Sequence, residues 1–281
     1  NDVIKNVLLR EKYGEVPVSI LNTTTGHWIN RKRRWIELGL KSELGREKLL
    51  GFSNTVNSNQ GGDENKKGIS VFDPTLTELM YNWFCPEKGM ILDPFAGGSV
   101  RGIVANYLGF KYTGIELRNE QVENNREQGL NILEVNNQPQ WYCGDSEKVL
   151  TELIPEYDLI FSCPPYANLE VYSDLKEDLS NMPYKDFVMK YRSIIGKALK
   201  LLKKDCYAVF VVGEVRGKDG FYYDFVGDTK RAFIEQGAKL YNDAILVNVV
   251  GSASMRASKV FEAGKKLTKI HQNVLVFKKT F

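Results

Sequence analysis

From residue 90 onward, apolar runs of strand length alternate with longer stretches of helical periodicity, and this alternation constrains the fold more than any other feature of the chain. The strand-length runs fall at 90–92, 112–115, 141–143, 159–162, 207–212, 244–250 and 273–277. Between the first five lie segments that read as helices, among them 100–108 and 187–202. In the latter, Phe187, Tyr191, Ile194, Ile195, Ala198 and Leu201 recur at helical spacing. Strand–helix–strand units of this kind build a parallel sheet covered on both faces. The last two runs have little helical pattern between them and are expected to pair antiparallel at one edge. The pattern predicts an α/β fold, a seven-stranded doubly wound sheet, with ligands bound beyond the carboxyl ends of its strands. At 281 residues, 43% of them hydrophobic, the chain is long enough for such a core.

The chain divides into three parts. Residues 1–50 carry apolar patches without a long regular period, together with the basic cluster Arg31-Lys32-Arg33-Arg34 between Trp28 and Trp35. Residues 51–68 are rich in Asn, Ser and Gly and read as a flexible linker, because they offer little apolar surface to bury. Residues 69–281 form the α/β unit. No window approaches the roughly 18 uninterrupted apolar residues of a membrane helix. The beginning, Asn-Asp-Val-Ile-Lys, has neither an apolar signal nor a methionine and reads as a trimmed start. Four widely spaced cysteines with no C-x-x-C pair, and only two histidines, argue against zinc. A reduced, cytoplasmic, metal-free protein is expected.

Charge is distributed unevenly. From 251 to 281, Arg256, Lys259, Lys265, Lys266, Lys269, Lys278 and Lys279 stand against Glu262 alone. Basic clusters attract phosphate regardless of sequence, and neighbouring aromatics stack on bases or fill a core. A solvated face is the commoner fate of such a run.

The densest chemical signal is Ile91-Leu92-Asp93-Pro94-Phe95-Ala96-Gly97-Gly98-Ser99-Val100-Arg101-Gly102. Here an apolar strand ends in an acid, a glycine-rich turn follows, and a helix begins. Glycine lets backbone approach a ligand closely because no Cβ stands between them. Glu116 ends the next strand, 23 residues after Asp93, near the offset of an acid that binds ribose hydroxyls. Asp145 follows the third strand on the same edge. Both a G-x-G-x-x-G fingerprint and a P-loop lysine are absent. A pyrophosphate fits poorly beside Asp93, whereas a ligand carrying an amino group, a sulfonium and a ribose fits better. Taken singly, Asp93 could simply cap a helix; three acids at successive strand ends favour a binding site.

Asp93-Pro94-Phe95-Ala96-Gly97-Gly98 resembles the DPFAGSG signature of S-adenosylmethionine-dependent DNA methyltransferases that act on exocyclic amino groups. Val71-Phe72-Asp73-Pro74-Thr75-Leu76, followed by Leu79 and Trp83, is similar to the cofactor-binding segment that precedes the signature in that family. Ser162-Cys163-Pro164-Pro165-Tyr166 resembles the family's catalytic (Asp/Asn/Ser)-Pro-Pro-Tyr motif. The match runs over roughly residues 70–280. More loosely, the chain looks like methylases encoded by phages and prophages, in its basic tryptophan-bearing segment 28–46 and in the ending that starts at His271. The resemblance implies the Rossmann-like sheet of class I methyltransferases, with a small basic N-terminal extension. It implies S-adenosylmethionine as cofactor and DNA as partner. Asp93, Phe95 and Gly97 would line the methionine side of the cofactor, Glu116 would bind the ribose and Asp145 the adenine amino group, with Phe72 and Thr75 closing the pocket. Cys163, Pro164, Pro165 and Tyr166 would carry catalysis. Ser162, Glu214, Arg31, Arg33, Arg34 and Arg256 would contact the substrate, with residues 1–50 as a candidate DNA-recognition element.

An exocyclic amine is a poor nucleophile because its lone pair is delocalised into the ring. Acceptors that hold its protons ease attack on a sulfonium methyl. Two prolines fix the local backbone so that a carbonyl, that of Pro164 in the family, can point at the base. Tyr166 offers a flat face to a base extruded from the duplex. At the first motif position Cys163 is a weak acceptor. Its likeness in shape to serine, the residue commoner in cytosine-N4 enzymes, tilts the target slightly towards cytosine over adenine. The thiol also raises an alternative, a cytosine-C5 methyltransferase with Cys163 as nucleophile and Glu214 on the ring nitrogen. In that family, however, the cysteine follows the proline. Further alternatives are a catalytically silent module that binds cofactor and DNA, and a methyltransferase for RNA or protein. Tyr222, Tyr223 and Phe225 resemble an aromatic base-binding loop, though core packing is the more frequent role of such residues.

Overall fold

A computed structural model describes residues 2–41, 72–154, 156–166, 175, 177–248 and 253–281; the 51–68 linker lies outside them. The first half forms α1 (Asp2–Tyr13), β1 (Ile20–Asn22), α2 (Gly26–Glu37), α3 (Pro74–Phe84), β2 (Met90–Asp93), α4 (Val100–Tyr107), β3 (Lys111–Glu116), α5 (Asn119–Ile132) and β4 (Gln140–Cys143). The second half forms α6 (Ser146–Val149), β5 (Tyr157–Ser162), α7 (Tyr184–Leu201), β6 (Leu202–Val212), α8 (Phe225–Ile234), β7 (Lys239–Val247), α9 (Ala253–Gly264) and β8 (His271–Lys278). Among the described residues no helix is long and apolar enough to cross a membrane.

All eight strands join one mixed sheet in the order β1-β7-β8-β6-β5-β2-β3-β4. The pairs β4–β3, β3–β2, β2–β5 and β5–β6 are parallel, whereas β8 runs antiparallel to both β6 and β7. The expected α/β sheet is present, with two corrections. An eighth strand, β1, comes from the N-terminal segment and pairs parallel with β7, Leu21 opposite Leu246. Three residues are too few to show a period in sequence. The last two predicted runs, β7 and β8, do pair antiparallel at that end of the sheet, with β8 set between β7 and β6. And α9 occupies the stretch that reads as having little helix.

Uninterrupted apolar runs in the central strands follow from burial on both faces. Alternate residues feed two cores. Ile91, Leu159, Phe161, Val209 and Val211 face one layer with Trp28, Leu76, Leu79, Ile103 and Val104. Leu92, Ile160, Ala208, Phe210 and Val212 face the other, with Phe187, Tyr191, Ile194, Ala198 and Phe233. The spacing 187, 191, 194, 195, 198 is the buried stripe of α7, as its periodicity predicts.

The basic N-terminal segment packs on this sheet through its tryptophans. Thr25 caps α2 by accepting from the Trp28 N–H at 3.3 Å, and Trp28 and Trp35, seven residues apart, lie on its buried face. Their indole N–H groups donate to Asp73 at 3.2 Å and to Glu78 at 3.0 Å. Arg31 forks onto Glu78 at 2.9 and 2.6 Å and donates to the Gly14 carbonyl. Glu78 thus holds two α2 side chains onto α3. Glu78→Ala is expected to lower stability by about 3 kcal/mol, because it leaves a guanidinium and an indole N–H without their acceptor. Glu78→Gln should cost about half as much. Urea unfolding of the two variants measures both.

Candidate active site

β2 is the strand at which the order reverses, with β3 and β4 on one side and β5 and β6 on the other. Doubly wound sheets bind ligands outside the carboxyl ends of the strands at such a point. What stands there is a buried network centred on Asp93, which is 0% exposed. Its Oδ1 accepts from the Phe95 N–H at 3.1 Å and the Ser162 hydroxyl at 2.5 Å. Its Oδ2 accepts from Arg101 Nε at 2.5 Å and the Tyr112 hydroxyl at 2.8 Å. Four donors thus serve the carboxylate, one for each of its lone-pair positions.

Arg101 is buried as well, at 5% exposure. Burial alone would lower its guanidinium, but Asp93, aided by Tyr112, raises it, so the charge is retained. Its Nη2 also donates to the carbonyls of Phe95 at 2.7 Å and Ala96 at 2.8 Å, and its guanidinium lies 4.6 Å over the Phe72 ring. Burial, with Asp93 adding to it, raises Tyr112 well above an ordinary phenol, which keeps its proton in place as a donor.

Around this network the glycine-rich turn is fixed carbonyl by carbonyl. Ser146 donates to Pro94 O at 2.5 Å, Arg101 to Phe95 O and Ala96 O, and Asn125 to Gly97 O at 2.8 Å. The Ala96 N–H reaches across to Ile115 O at 3.0 Å. Gly97 turns the chain at φ +54°, a left-handed conformation that glycine adopts at no steric cost. Ser99 spends its hydroxyl on Gln128 at 2.6 Å, so no side chain caps the first turn of α4.

The other two acids sit at neighbouring tips. Glu116 ends β3 opposite Cys143, its Oε1 accepting from the Arg118 N–H at 3.0 Å. Asp145 caps α6 through the Glu147 N–H at 3.0 Å and pairs with Lys190 at 3.0 Å. Thr75, in the first turn of α3, is 1% exposed, and its hydroxyl has no hydrogen-bond partner.

On the β5 side the Pro164–Pro165 corner carries the chain from one face of the sheet to the other. Cys163 packs against the first core with Phe72, and Tyr166 against the second with Phe225, 6.0 Å between rings. The Tyr166 hydroxyl accepts from Gln272 Nε2 at 2.7 Å. Behind it lies Gly213, whose Cβ, if present, would stand 3.5 Å from that hydroxyl.

Several sequence-derived assignments change in three dimensions. Asp93 presents no carboxylate surface and acts by holding the turn. Ser162, 0% exposed, is a donor to Asp93 and offers no surface to a substrate. Phe95 points into the second core, 5.7 Å from Tyr191 and 6.4 Å from Phe210. Glu214 caps α8 from outside, accepting from Phe225 N at 3.0 Å and Val226 N at 3.3 Å. Arg31 is held by Glu78 and Gly14, whereas Arg33 and Arg34 are exposed. Arg256 lies in α9, and its side chain falls outside the described residues. Three participants were not anticipated. Arg101 and Tyr112 become visible only once their buried partner is known; Gln272 lies in a strand whose other residues are largely apolar. Among the described residues no group of three His, Cys, Asp or Glu converges as a metal site.

No protein-family model matches the chain, and no curated protein matches it. Solved structures do. TrmN from Thermus thermophilus superposes with a TM-score of 0.52 at 16% identity, over 74% of this chain and 49% of that one. This chain therefore spans about half the length of TrmN. Magnesium protoporphyrin IX methyltransferase from Synechocystis PCC 6803, solved with bound SAM, gives 0.42 at 12% identity over 69% and 71%. A second Thermus thermophilus chain, provisionally described as a DNA modification methylase and complexed with S-adenosyl-L-methionine, gives 0.37 at 19% identity over 49% and 54%. The fold is thus the Rossmann-like one of class I methyltransferases, a mixed sheet with flanking helices.

Proposed function

We propose that this protein transfers a methyl group from S-adenosylmethionine to the exocyclic amino group of a DNA base, cytosine N4 or adenine N6. The observation that carries the reading is the bond between Ser162 and Asp93. It joins the end of the diproline corner to the anchor of the glycine-rich turn, so acceptor and donor subsites share one rigid edge.

The residues of this edge fit the cofactor by their chemistry. Arg101 neutralises Asp93, so a carboxylate meets no bare negative charge at the turn. The first turn of α4, uncapped by any side chain, favours an anionic group. Glu116 supplies an acceptor for a pair of ribose hydroxyls, and the buried Thr75 hydroxyl is left for a polar atom of the ligand. Bound there, the cofactor supplies an electrophilic methyl on a sulfonium.

The chain itself positions the amine. Carbonyls of the diproline corner, held by restricted φ angles, accept hydrogen bonds from its N–H groups and draw its lone pair out of the ring. Tyr166 stacks on the extruded base, with its own ring fixed from two sides by Phe225 and Gln272. Cys163 adds only a weak acceptor. Holding donor and acceptor in line supplies most of the acceleration. The exposed Arg33 and Arg34, with the basic stretch from Arg256, contribute phosphate contacts.

Nucleoside mass spectrometry after incubation with methyl-labelled S-adenosylmethionine and unmethylated DNA tests this. N4-methylcytosine or N6-methyladenine is expected. 5-Methylcytosine would move the chemistry to the Cys163 thiol, and label confined to RNA or protein would overturn the reading.

A further inference from the structure

The segment that follows β6 is built as a projecting tip. Arg216 and Tyr222 pair across it, the Gly217 N–H donates to Phe221 O at 2.8 Å, and Gly220 closes the turn at φ +86°. The Arg216 guanidinium lies 3.8 Å over the Tyr222 ring and donates to Gly220 O at 2.8 Å. Tyr223 anchors the base, stacked on Tyr184 at 4.2 Å. Phe221, at the end of this braced hairpin, is 74% exposed. Its N–H is fixed by the Asp219 carboxylate at 3.1 Å, so the ring is presented on an ordered backbone.

The hairpin springs from the wall of the Tyr166 subsite. Gly213, directly before it, faces the Tyr166 hydroxyl, and Phe225, directly after it, packs on the Tyr166 ring. Three to four extended residues place the tip roughly 10 Å beyond that wall. The segment entering β8 closes over the same end. Lys266 Nζ stands directly against Gly220, where any Cβ would meet it, so this lysine sits at the hairpin tip. The exposed lysines of the hairpin and of the segment from α9 to Lys266 are Lys218, Lys259, Lys265 and Lys266. The acids of the hairpin are engaged by the protein's own donors: Glu214 caps α8, the exposed Asp224 pairs with Arg231 at 2.9 Å, and the exposed Asp219 accepts from the Phe221 N–H. Lysines beside an exposed phenyl repel a second copy of themselves and attract a polyanion whose interior is apolar. Duplex DNA has that combination, phosphates outside and stacked bases within.

We infer that the Phe221 hairpin is a wedge for duplex DNA: the phenyl enters the base stack beside the target while Lys266 and its neighbours hold the flanking phosphates. The inference rests on the proposed reaction, since it assigns the device that presents the base to Tyr166. Apolar side chains inserted between base steps unstack them, and basic contacts offset that cost. Extrusion is easiest where pairing is already weak.

The test compares wild type, Phe221→Ala and Phe221→Leu on a matched duplex and on the same duplex mismatched at the modified base. With Phe221→Ala, kcat/KM should fall at least roughly tenfold on the matched duplex and stay within about twofold on the mismatched one, where unpairing has already been met. Phe221→Leu, still an apolar wedge, should recover most of the loss. A deficit equal on both duplexes, or one that appears with RNA and not DNA, overturns the inference. A second arm, run in the Tyr166→Ala background, follows 2-aminopurine fluorescence when each position of a bound sequence is replaced in turn. Enhancement at one step that vanishes with Phe221→Ala supports the wedge; enhancement that persists overturns it. That arm needs no methyl transfer, so failure of the wedge and failure of the proposed reaction are told apart.

Discussion

Arg101→Ala is expected to cost the protein about 4 kcal/mol of stability and to abolish binding of S-adenosylmethionine. Removing one partner of a buried pair leaves the other charge uncompensated, a loss of roughly 3–5 kcal/mol out of the 5–15 that a domain typically has. Here the remaining partner is Asp93, which is 0% exposed. The same change frees the carbonyls of Phe95 and Ala96 and strips the face of Phe72. Arg101→Lys keeps the charge but replaces a planar fork with a single ammonium. It should fold and bind cofactor weakly. The double variant Asp93→Asn/Arg101→Leu separates the two effects. With no charge left to bury, it should recover part of the stability while the turn, no longer clamped, still fails to bind. Urea denaturation and titration calorimetry with S-adenosylmethionine check both halves. Arg101→Ala with unchanged cofactor affinity would detach the Asp93 network from the site.

Tyr166→Ala carries the second large effect, and it falls on the opposite side of the edge. Base–aromatic stacking is worth roughly 1–3 kcal/mol per base, so kcat/KM for DNA should drop by up to about 100-fold. Affinity for S-adenosylmethionine should stay within about twofold, since Tyr166 packs on Phe225 and takes its hydrogen bond from Gln272, neither of which belongs to the Asp93 network. Tyr166→Phe removes only the acceptor for Gln272 and keeps the ring. A single neutral hydrogen bond contributes about 1 kcal/mol, so a loss of at most about tenfold is expected. Gln272→Ala should match it if the bond serves to hold the ring in plane. Steady-state kinetics on the modified sequence, with cofactor binding measured separately, distinguish these cases. A Tyr166→Ala enzyme with full turnover would remove the stacking role.

The N-terminal basic cluster shows how far local sequence carries a functional reading. Charge density and two tryptophans suit nucleic acid and core packing equally well. The structure buries both indoles, with their N–H groups on Asp73 and Glu78, and ties Arg31 to Glu78. Arg33 and Arg34 alone of the three arginines face outward. Partners 45 and 47 residues distant settled the question, across a stretch with no periodic pattern of its own.

Local sequence by itself determined the central strands, their alternation with helices, and the edge at which Asp93, Glu116 and Asp145 gather. A strand buried on both faces must be apolar throughout, and a tight turn at its tip needs glycine; both demands are met within a few neighbouring residues. Only the tertiary structure decided which polar groups at that edge are consumed within the protein. Asp93 and Ser162, 69 residues apart, consume one another, and Glu214 is taken up by the N-terminus of α8. The short strand β1 and the placement of β8 were decided in the same way, by pairing with distant chain. A buried polar group must find a partner wherever the fold brings one, and that partner is set by packing across the whole sheet.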